Sequence, residues 1–416
     1  MSKKNAFYAQ SGGVTAVINA TACGLIETAR KHKNKISKVY AGRNGIIGAL
    51  KEDLIDTSKE TAKVIAGLRY TPGGAFGSCR YKLKDLEENR AEYERLIEVF
   101  KAHNIGYFFY NGGGDSQDTA YKISLLSKEV NYPLICIGIP KTIDNDLAFT
   151  DNSPGFGSVA KYIALSTREA GLDVASMCAS STKVFIMEVM GRHTGWIAAA
   201  SGLASEEKGA PPHIILFPEI PFNEFKFLDK VAKVVKKYGY CVIVLAEGVC
   251  DSKKEFLANT KDIDAFGHKQ LGGAAPTIAE LIKSKLGFKY HWALPDYLQR
   301  SARHIASKVD VEQSYALGKA AVEFAIKDKS GIMPIIVRKP GKHYRWTIGE
   351  TPLADVANQE KKLPRNFITN DGFHITQRCR NYLLPLIQGE DYPNYYNGLP
   401  NYIKLKQHKV AKKLKK

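Results

Sequence analysis

No run of eighteen apolar residues occurs anywhere in this chain, which excludes a transmembrane helix. The opening residues, Met1-Ser-Lys-Lys-Asn-Ala-Phe-Tyr8, lack the apolar stretch of a secretory signal and read straight into a strand. Cysteine is scarce and unpatterned: Cys23, Cys79, Cys136, Cys178, Cys241, Cys250 and Cys379 include no Cys-x-x-Cys pair. An odd, scattered set argues against a disulfide framework and predicts reduced thiols in a cytoplasmic protein. Low-complexity linkers and short-period repeats are also missing, as are zinc-finger, helix-turn-helix and aromatic RNA-binding motifs.

Acidic residues are outnumbered, 42 against 60 basic ones, for a net charge of +18. Seven lysines and no acid fall in the tail Lys404–Lys416, without which about +11 remains. Two readings fit: a solvated basic face ending in a frayed tail, or a basic cleft that draws in anionic substrates. A chain of 416 residues, 44% hydrophobic and 25% charged, has the make-up of a globular protein long enough for two lobes with their own cores.

The pattern along the first part is strand, loop, helix, repeated. Residues 6–10 predict a strand, Ser11-Gly12-Gly13-Val14-Thr15 a loop, and residues 16–32 a helix. Residues 38–41 predict a strand that Gly42-Arg-Asn-Gly45 breaks. Residues 82–103 predict a helix with Leu86, Tyr93, Leu96, Ile97 and Phe100 on one stripe. A strand over 105–110 ends in Asn111-Gly112-Gly113-Gly114-Asp115-Ser116, and a helix over 117–128 follows. Such repetition predicts a parallel sheet with right-handed crossovers. A long helix over 156–175 then leads to strands at 183–189, 214–217 and 240–246.

Tyr132-Pro-Leu-Ile-Cys-Ile-Gly-Ile139 reads as a buried strand. It delivers Pro140-Lys141-Thr142-Ile143-Asp144-Asn145-Asp146 to its carboxyl end, where open α/β sheets bind ligands. One carboxylate there can take a proton from a hydroxyl, the other can hold a metal, and the lysine can neutralise phosphate. Ser11-Gly12-Gly13 and Gly112-Gly113-Gly114-Asp115-Ser116 each sit between a strand and a helix, where backbone N–H groups can meet phosphate oxygens. Each is equally a turn made for steric reasons, with Asp115 or Ser116 as helix N-cap. Met190-Gly191-Arg192-His193 and Tyr297-Leu298-Gln299-Arg300 supply guanidinium groups suited to phosphate. Taken singly they read as a surface salt-bridge residue and a helix fragment. His193 is expected to be structural, and Glu247 is a candidate for sugar hydroxyls or a strand-end carboxylate in solvent.

Taken in order, Ser11-Gly12-Gly13, Gly112-Gly113-x-x-Ser116, Pro140-Lys-Thr-Ile-Asp-Asn-Asp146, Met190-Gly-Arg192, Ala246-Glu-Gly248 and Tyr297-Leu-Gln-Arg300 resemble the phosphofructokinase family over residues 5–325. The resemblance is strongest to its pyrophosphate-using branch. It implies two Rossmann-like three-layer α/β lobes with mainly parallel sheets and an active site in the cleft between them. Residues 1–150 with about 298–350 would bind the donor, 151–297 the sugar phosphate, and 351–416 would form an extension packing on the lobes. Asp144 would be the base that deprotonates the sugar 1-hydroxyl, with Lys141 and Arg192 assisting transfer. Gly13, Arg80, Gly113, Asp115, Ser116 and Lys141 would face the donor. Thr142, Ile143, Asp144, Asp146, Met190, Gly191, Arg192, Glu247, Tyr297 and Arg300 would hold fructose 6-phosphate. Lys183 aligns with an arginine that reaches the 6-phosphate across a subunit interface in relatives.

The donor expectation rests on two positions. ATP-using relatives carry glycine where this chain has Asp115 and Lys141. In pyrophosphate users, by the same resemblance, the aspartate bars the ATP α-phosphate by bulk and like charge, and the lysine neutralises pyrophosphate. The family's usual metal-binding aspartate is Gly114 here, which leaves Asp115 and Asp144 as expected magnesium ligands, with Asp146, waters or phosphates. The implied activity is reversible phosphorylation of fructose 6-phosphate by pyrophosphate. Rival readings are the ATP-dependent enzyme, a sedoheptulose 7-phosphate kinase, and a non-catalytic regulatory subunit of the same fold. The expected partners are small molecules and further copies of the chain, as a homodimer or homotetramer, with neither nucleic acid nor membrane.

Overall fold

The computed structural model describes residues 3–81, 83, 87–257 and 273–414. In chain order the first elements are β1 (Lys4–Ser11), α1 (Ile18–Lys31), β2 (Ile36–Gly42), α2 (Ile46–Leu50), β3 (Leu54–Asp56), α3 (Ala62–Gly67), β4 (Ser78–Cys79), α4 (Arg90–Ala102), β5 (Ile105–Gly112), α5 (Gly114–Glu129) and β6 (Ile135–Pro140). There follow α6 (Phe156–Met177), β7 (Val184–Val189), α7 (Trp196–Ser201), β8 (Ile214–Leu216), α8 (Glu224–Tyr238), β9 (Cys241–Ala246), α9 (Ala274–Leu286), β10 (Tyr290–Ala293) and α10 (Tyr297–Ser301). The last are α11 (Lys308–Ala325), β11 (Ile332–Lys339), β12 (Arg345–Pro352), α12 (Leu353–Val356), α13 (Gln377–Leu383), β13 (Tyr395–Tyr396) and β14 (Leu399–Pro400). Two compact units result. One comprises Met1–Gly155, Lys308–Glu360 and Glu390–Lys416; the other comprises Phe156–Ser307 and Lys361–Gly389.

The first unit is built on a sheet of order β12-β11-β6-β5-β1-β2-β3, with β4 beside the end of β1. Its centre is parallel, while β3 and β12 run antiparallel at the two edges. Strand alternation sorts the core into two layers. Phe7, Ala9, Phe108, Tyr110 and Cys136 face one layer with Tyr93, Leu96 and Ile123 of α4 and α5. Ala6, Tyr8, Tyr107, Phe109, Ile137 and Ile139 face the other with Leu25 of α1 and Leu317 of α11. Covering on both faces is why the strands read as unbroken apolar runs. Helices α1 and α11 approach closely through Gly24 and Gly318: a Cβ on Gly24 would lie 2.2 Å from the Tyr315 carbonyl oxygen, and one on Gly318 would lie 2.0 Å from that of Thr21.

The second unit has an all-parallel sheet of order β10-β7-β9-β8. Helix α8 covers it with Phe227, Val231, Val234 and Val235, the buried stripe of an otherwise charged helix.

Three expectations need correction. Helix α5 begins at Gly114 rather than Gln117, because extended Gly113 is its N-cap and its carbonyl accepts from the Ser116 and Gln117 amides at 3.0 Å. Asp115 and Ser116 are therefore first-turn residues and neither is the cap. The helix expected from residue 82 begins at Arg90 among the described residues, and Leu86 lies outside them. The basic tail is not frayed: His408 accepts from the Asp56 amide, Val410 donates to Leu54, and Lys413 and Leu414 donate to the Glu52 carboxylate. Ile403, Leu405 and Gln407 are half-buried while Lys404, Lys406 and Lys409 are exposed, and Lys409 bridges Ile55 of the edge strand β3. All seven cysteines are free thiols.

Candidate active site

In the first unit β1, β5 and β6 are parallel neighbours, so the segments after them emerge at one sheet edge. Strand β4 pairs with Gln10 and Ser11 and brings the segment ending in Arg80 alongside. The Gly12 amide donates to Cys79 O at 2.9 Å, and Ser78 Oγ donates to Gly12 O at 2.7 Å. Arg80 is exposed. Gly12 sits at φ +71°, in the left-handed region that favours glycine.

Lys141 is buried, 3% exposed, and its Nζ donates to Gly13 O at 2.6 Å. Its amide donates to Gly112 O at 3.0 Å. One residue thus joins the ends of β1, β5 and β6. A positive charge held at the carboxyl ends of three neighbouring strands suits a phosphate-bearing ligand. Gln117, fully buried, braces the same edge by donating to Gly112 O at 2.8 Å and Ile139 O at 3.1 Å. No side chain caps the start of α5, and an uncapped helix N-terminus favours an anion. Ser116 there is buried and Asp115 exposed.

Past β6 the backbone turns through Thr142-Ile143-Asp144-Asn145-Asp146. Thr142 Oγ1 accepts the Asp144 amide at 3.1 Å. Ile143 is a buried apolar residue, so its backbone is what it offers a ligand. Asn145 has φ +54° and Oδ1 accepts the Ser153 amide at 3.0 Å. Sequence reasoning assigned neither Asn145 nor Gln117 a part; their signal was polarity beside motif residues that, in the structure, proves fully buried. Asp144 and Asp146 stay half-exposed.

In the second unit the ends of β7 and β9 lie side by side. The Glu247 amide donates to Val189 O at 2.9 Å, and its Oε1 accepts the Gly191 amide at 3.3 Å. Gly191 holds φ +130°, open to glycine and hardly to any other residue. Burial pushes the Glu247 carboxyl above the usual range, partly offset by the Gly191 N–H and Arg192. Fully buried Gln299 accepts the Met190 amide at 3.3 Å, which sets α10 beside Met190-Gly191-Arg192. The Arg300 guanidinium stacks on the exposed Tyr297 ring at 3.9 Å. His193 is exposed. Lys183 does not join this group: it precedes β7, at the opposite end from Met190, and donates to Cys178 O.

Among the described residues no group of three or more His, Cys, Asp or Glu side chains is placed to hold a metal by itself. Asp115, Asp144 and Asp146 follow neighbouring strands and offer only oxygen ligands. That set fits a hard divalent cation that takes its other ligands from phosphate and water. No helix of the described residues is long and apolar enough to cross a membrane.

Two open α/β units, each with glycine turns and charged groups at the carboxyl edge of a parallel sheet, define a doubly wound protein for anionic ligands. The chain belongs to the phosphofructokinase family, whose model matches residues 5–325. It is 63% identical over 414 residues to the pyrophosphate–fructose 6-phosphate 1-phosphotransferase of Halomonas elongata, covering 100% of this chain and 99% of that one. Identity and coverage are the same for the protein of that name from Methylococcus capsulatus. The crystal structure of a pyrophosphate-dependent phosphofructokinase from Marinobacter aquaeolei superposes with a TM-score of 0.91 at 63% identity, covering 99% of this chain and 98% of that one.

Proposed function

We propose that this protein transfers a phosphoryl group reversibly between pyrophosphate and the 1-hydroxyl of fructose 6-phosphate. The observation that carries the choice of donor is the buried Lys141 amine against Gly13 O, where ATP users of the family have glycine. Its charge compensates pyrophosphate, and Asp115 disfavours the extra phosphate of a nucleotide. The full-length relatives that bear the transferase name support the same reading.

Asp144 accepts the proton of the 1-hydroxyl as that oxygen attacks one phosphorus of pyrophosphate; the bridging P–O bond breaks and inorganic phosphate leaves. Lys141, Gly13, Gly113, Ser116 and Arg80 position the donor for in-line displacement. Thr142 orients Asp144 through the hydrogen bond its Oγ1 accepts from the Asp144 amide, and the Ile143 backbone and Asp146 complete the loop's contacts. Met190, Gly191, Arg192, Glu247, Tyr297 and Arg300 hold the sugar phosphate. The first unit is accordingly the donor lobe and the second the sugar lobe. Asp115 and Asp144, with Asp146, would hold magnesium, which supplies charge neutralisation on the phosphates. The enzyme works in the cytoplasm as a homodimer or homotetramer, and Lys183 then serves the 6-phosphate of a neighbouring copy.

The test is an assay of purified protein in both directions, with pyrophosphate and with ATP, each with and without magnesium. Pyrophosphate activity that needs magnesium and runs both ways is expected. Activity with ATP alone would overturn the donor assignment, and no transfer with either would favour a non-catalytic subunit.

A further inference from the structure

The loop that carries Asp144 is closed at its neck and gripped from outside. Thr142 bridges Gly155, with the Thr142 amide donating to Pro154 O at 3.2 Å. The return limb is held by α11, an element outside every motif that marks the family. Asp310, fully buried, accepts the Gly155 amide on Oδ1 at 2.9 Å. Gln313 lies one turn on, on the same helical face, and is also fully buried. Its Oε1 accepts Asn152 Nδ2 at 2.7 Å, and its Nε2 donates to Tyr344 Oη at 2.8 Å. From β11, Arg338 Nε donates to both Asp151 oxygens, at 3.0 and 3.1 Å, and the Ile336 amide donates to Thr150 Oγ1 at 3.0 Å.

The same helix backs α1 at the Gly24 and Gly318 contact, and α1 follows the Ser11-Gly12-Gly13 turn. One rigid helix therefore supports both the glycine turn and the loop of the base. A loop left to itself samples many backbone states, whereas a catalytic carboxylate must stay within about 0.5 Å of its productive place.

We propose that Asp310 and Gln313 are positioning residues for Asp144: they fix the return limb of its loop through the Gly155 amide and the Asn152 side chain. The inference rests on the reading of Asp144 as the base. Neither residue touches substrate; their action is on kcat through the loop.

The test compares wild-type protein with Asp310→Ala, Asp310→Asn and Gln313→Ala. It measures kcat, the KM for fructose 6-phosphate and pyrophosphate, and amide hydrogen exchange across residues 142–155. Asp310→Ala should lower kcat roughly 10- to 100-fold, as for a displaced catalytic group, with both KM values within about twofold and faster exchange in the loop. Asp310→Asn keeps an acceptor for the Gly155 amide and should recover most of kcat. Gln313→Ala should show the same signs, smaller, and carries the test if Asp310→Ala fails to fold. Unchanged kcat with unchanged loop exchange, or a lower melting temperature alone, would overturn the proposal. Should wild-type protein transfer no phosphate, the functional reading fails, and loop exchange in the variants still decides whether Asp310 and Gln313 hold the loop.

Discussion

Lys141 Nζ donates to the carbonyl oxygen of Gly13 at 2.6 Å, across 128 positions of sequence. The contact ties the turn after the first strand to the segment after the sixth, and it aims a buried positive charge where a phosphate loop needs one. Lys141→Gly removes that charge. The KM for pyrophosphate should rise at least about tenfold, while that for fructose 6-phosphate changes little. Initial-rate kinetics with each substrate varied in turn check this.

Asp144 is half-exposed and contributes little to the core. Asp144→Ala should lower kcat by roughly 10²- to 10⁴-fold, the range for a lost general base. Its melting temperature should stay within a few degrees of wild type. Near-normal turnover would remove Asp144 from the mechanism.

Asp115 sits in the first turn of an uncapped helix with its side chain in solvent. Asp115→Gly removes like charge from the donor site. The preference for pyrophosphate over ATP, as a ratio of kcat/KM, should fall by about tenfold or more. A Cβ at neighbouring Gly114 would meet nothing within 4 Å, so adding Gly114→Asp should be tolerated without loss of folding. Parallel assays with the two donors, with circular dichroism, test both statements.

His213 is buried beside Tyr238 and Tyr240, and its Nδ1 accepts the Val242 amide at 3.0 Å. Burial, reinforced by nearby His374, pushes its pKa down to about 4, against the usual 6.5. The unfolded chain therefore binds this proton more readily than the folded one. Stability should be unaffected above about pH 6.5 and fall between pH 6.5 and 4, by on the order of 2–3 kcal/mol. His213→Gln should flatten that part of the curve, read from urea unfolding at a series of pH values.

The C-terminal strap accounts for Glu52, whose carboxylate accepts the Lys413 and Leu414 amides as well as the His103 ring at 2.7 Å. Burial by itself would raise the Glu52 carboxyl, but these donors hold it below the usual range. Deleting residues 404–416 should destabilise the protein by on the order of 3 kcal/mol. A truncated chain that melts like the full one would return the tail to the frayed state expected from its charge.

The central strands and the helices between them were legible because each is a local pattern, apolar on both faces or on one stripe. The edges were not: β12 joins the sheet only as the antiparallel partner of β11, and nothing in the residues around Lys409 announces their antiparallel contact with Ile55, far along the chain. Charge misled the reading of the tail, since its lysines can stay in solvent while Ile403 and Leu405 between them pack against the core and Gln407 donates to Ala75 O. Gln117 and Asp310 escaped notice for a related reason. A buried amide or carboxylate has the same letter as an exposed one.

By itself the order of residues settled the α/β class, the positions of the glycine turns and the chemistry each could support, because turn geometry and charge are properties of a few adjacent residues. Which turns share a sheet edge, why the Lys141 amine meets Gly13, and how α11 grips the loop of Asp144 were decided only by tertiary structure. Those contacts join residues scores of positions apart, and burial of both partners is what makes them hold.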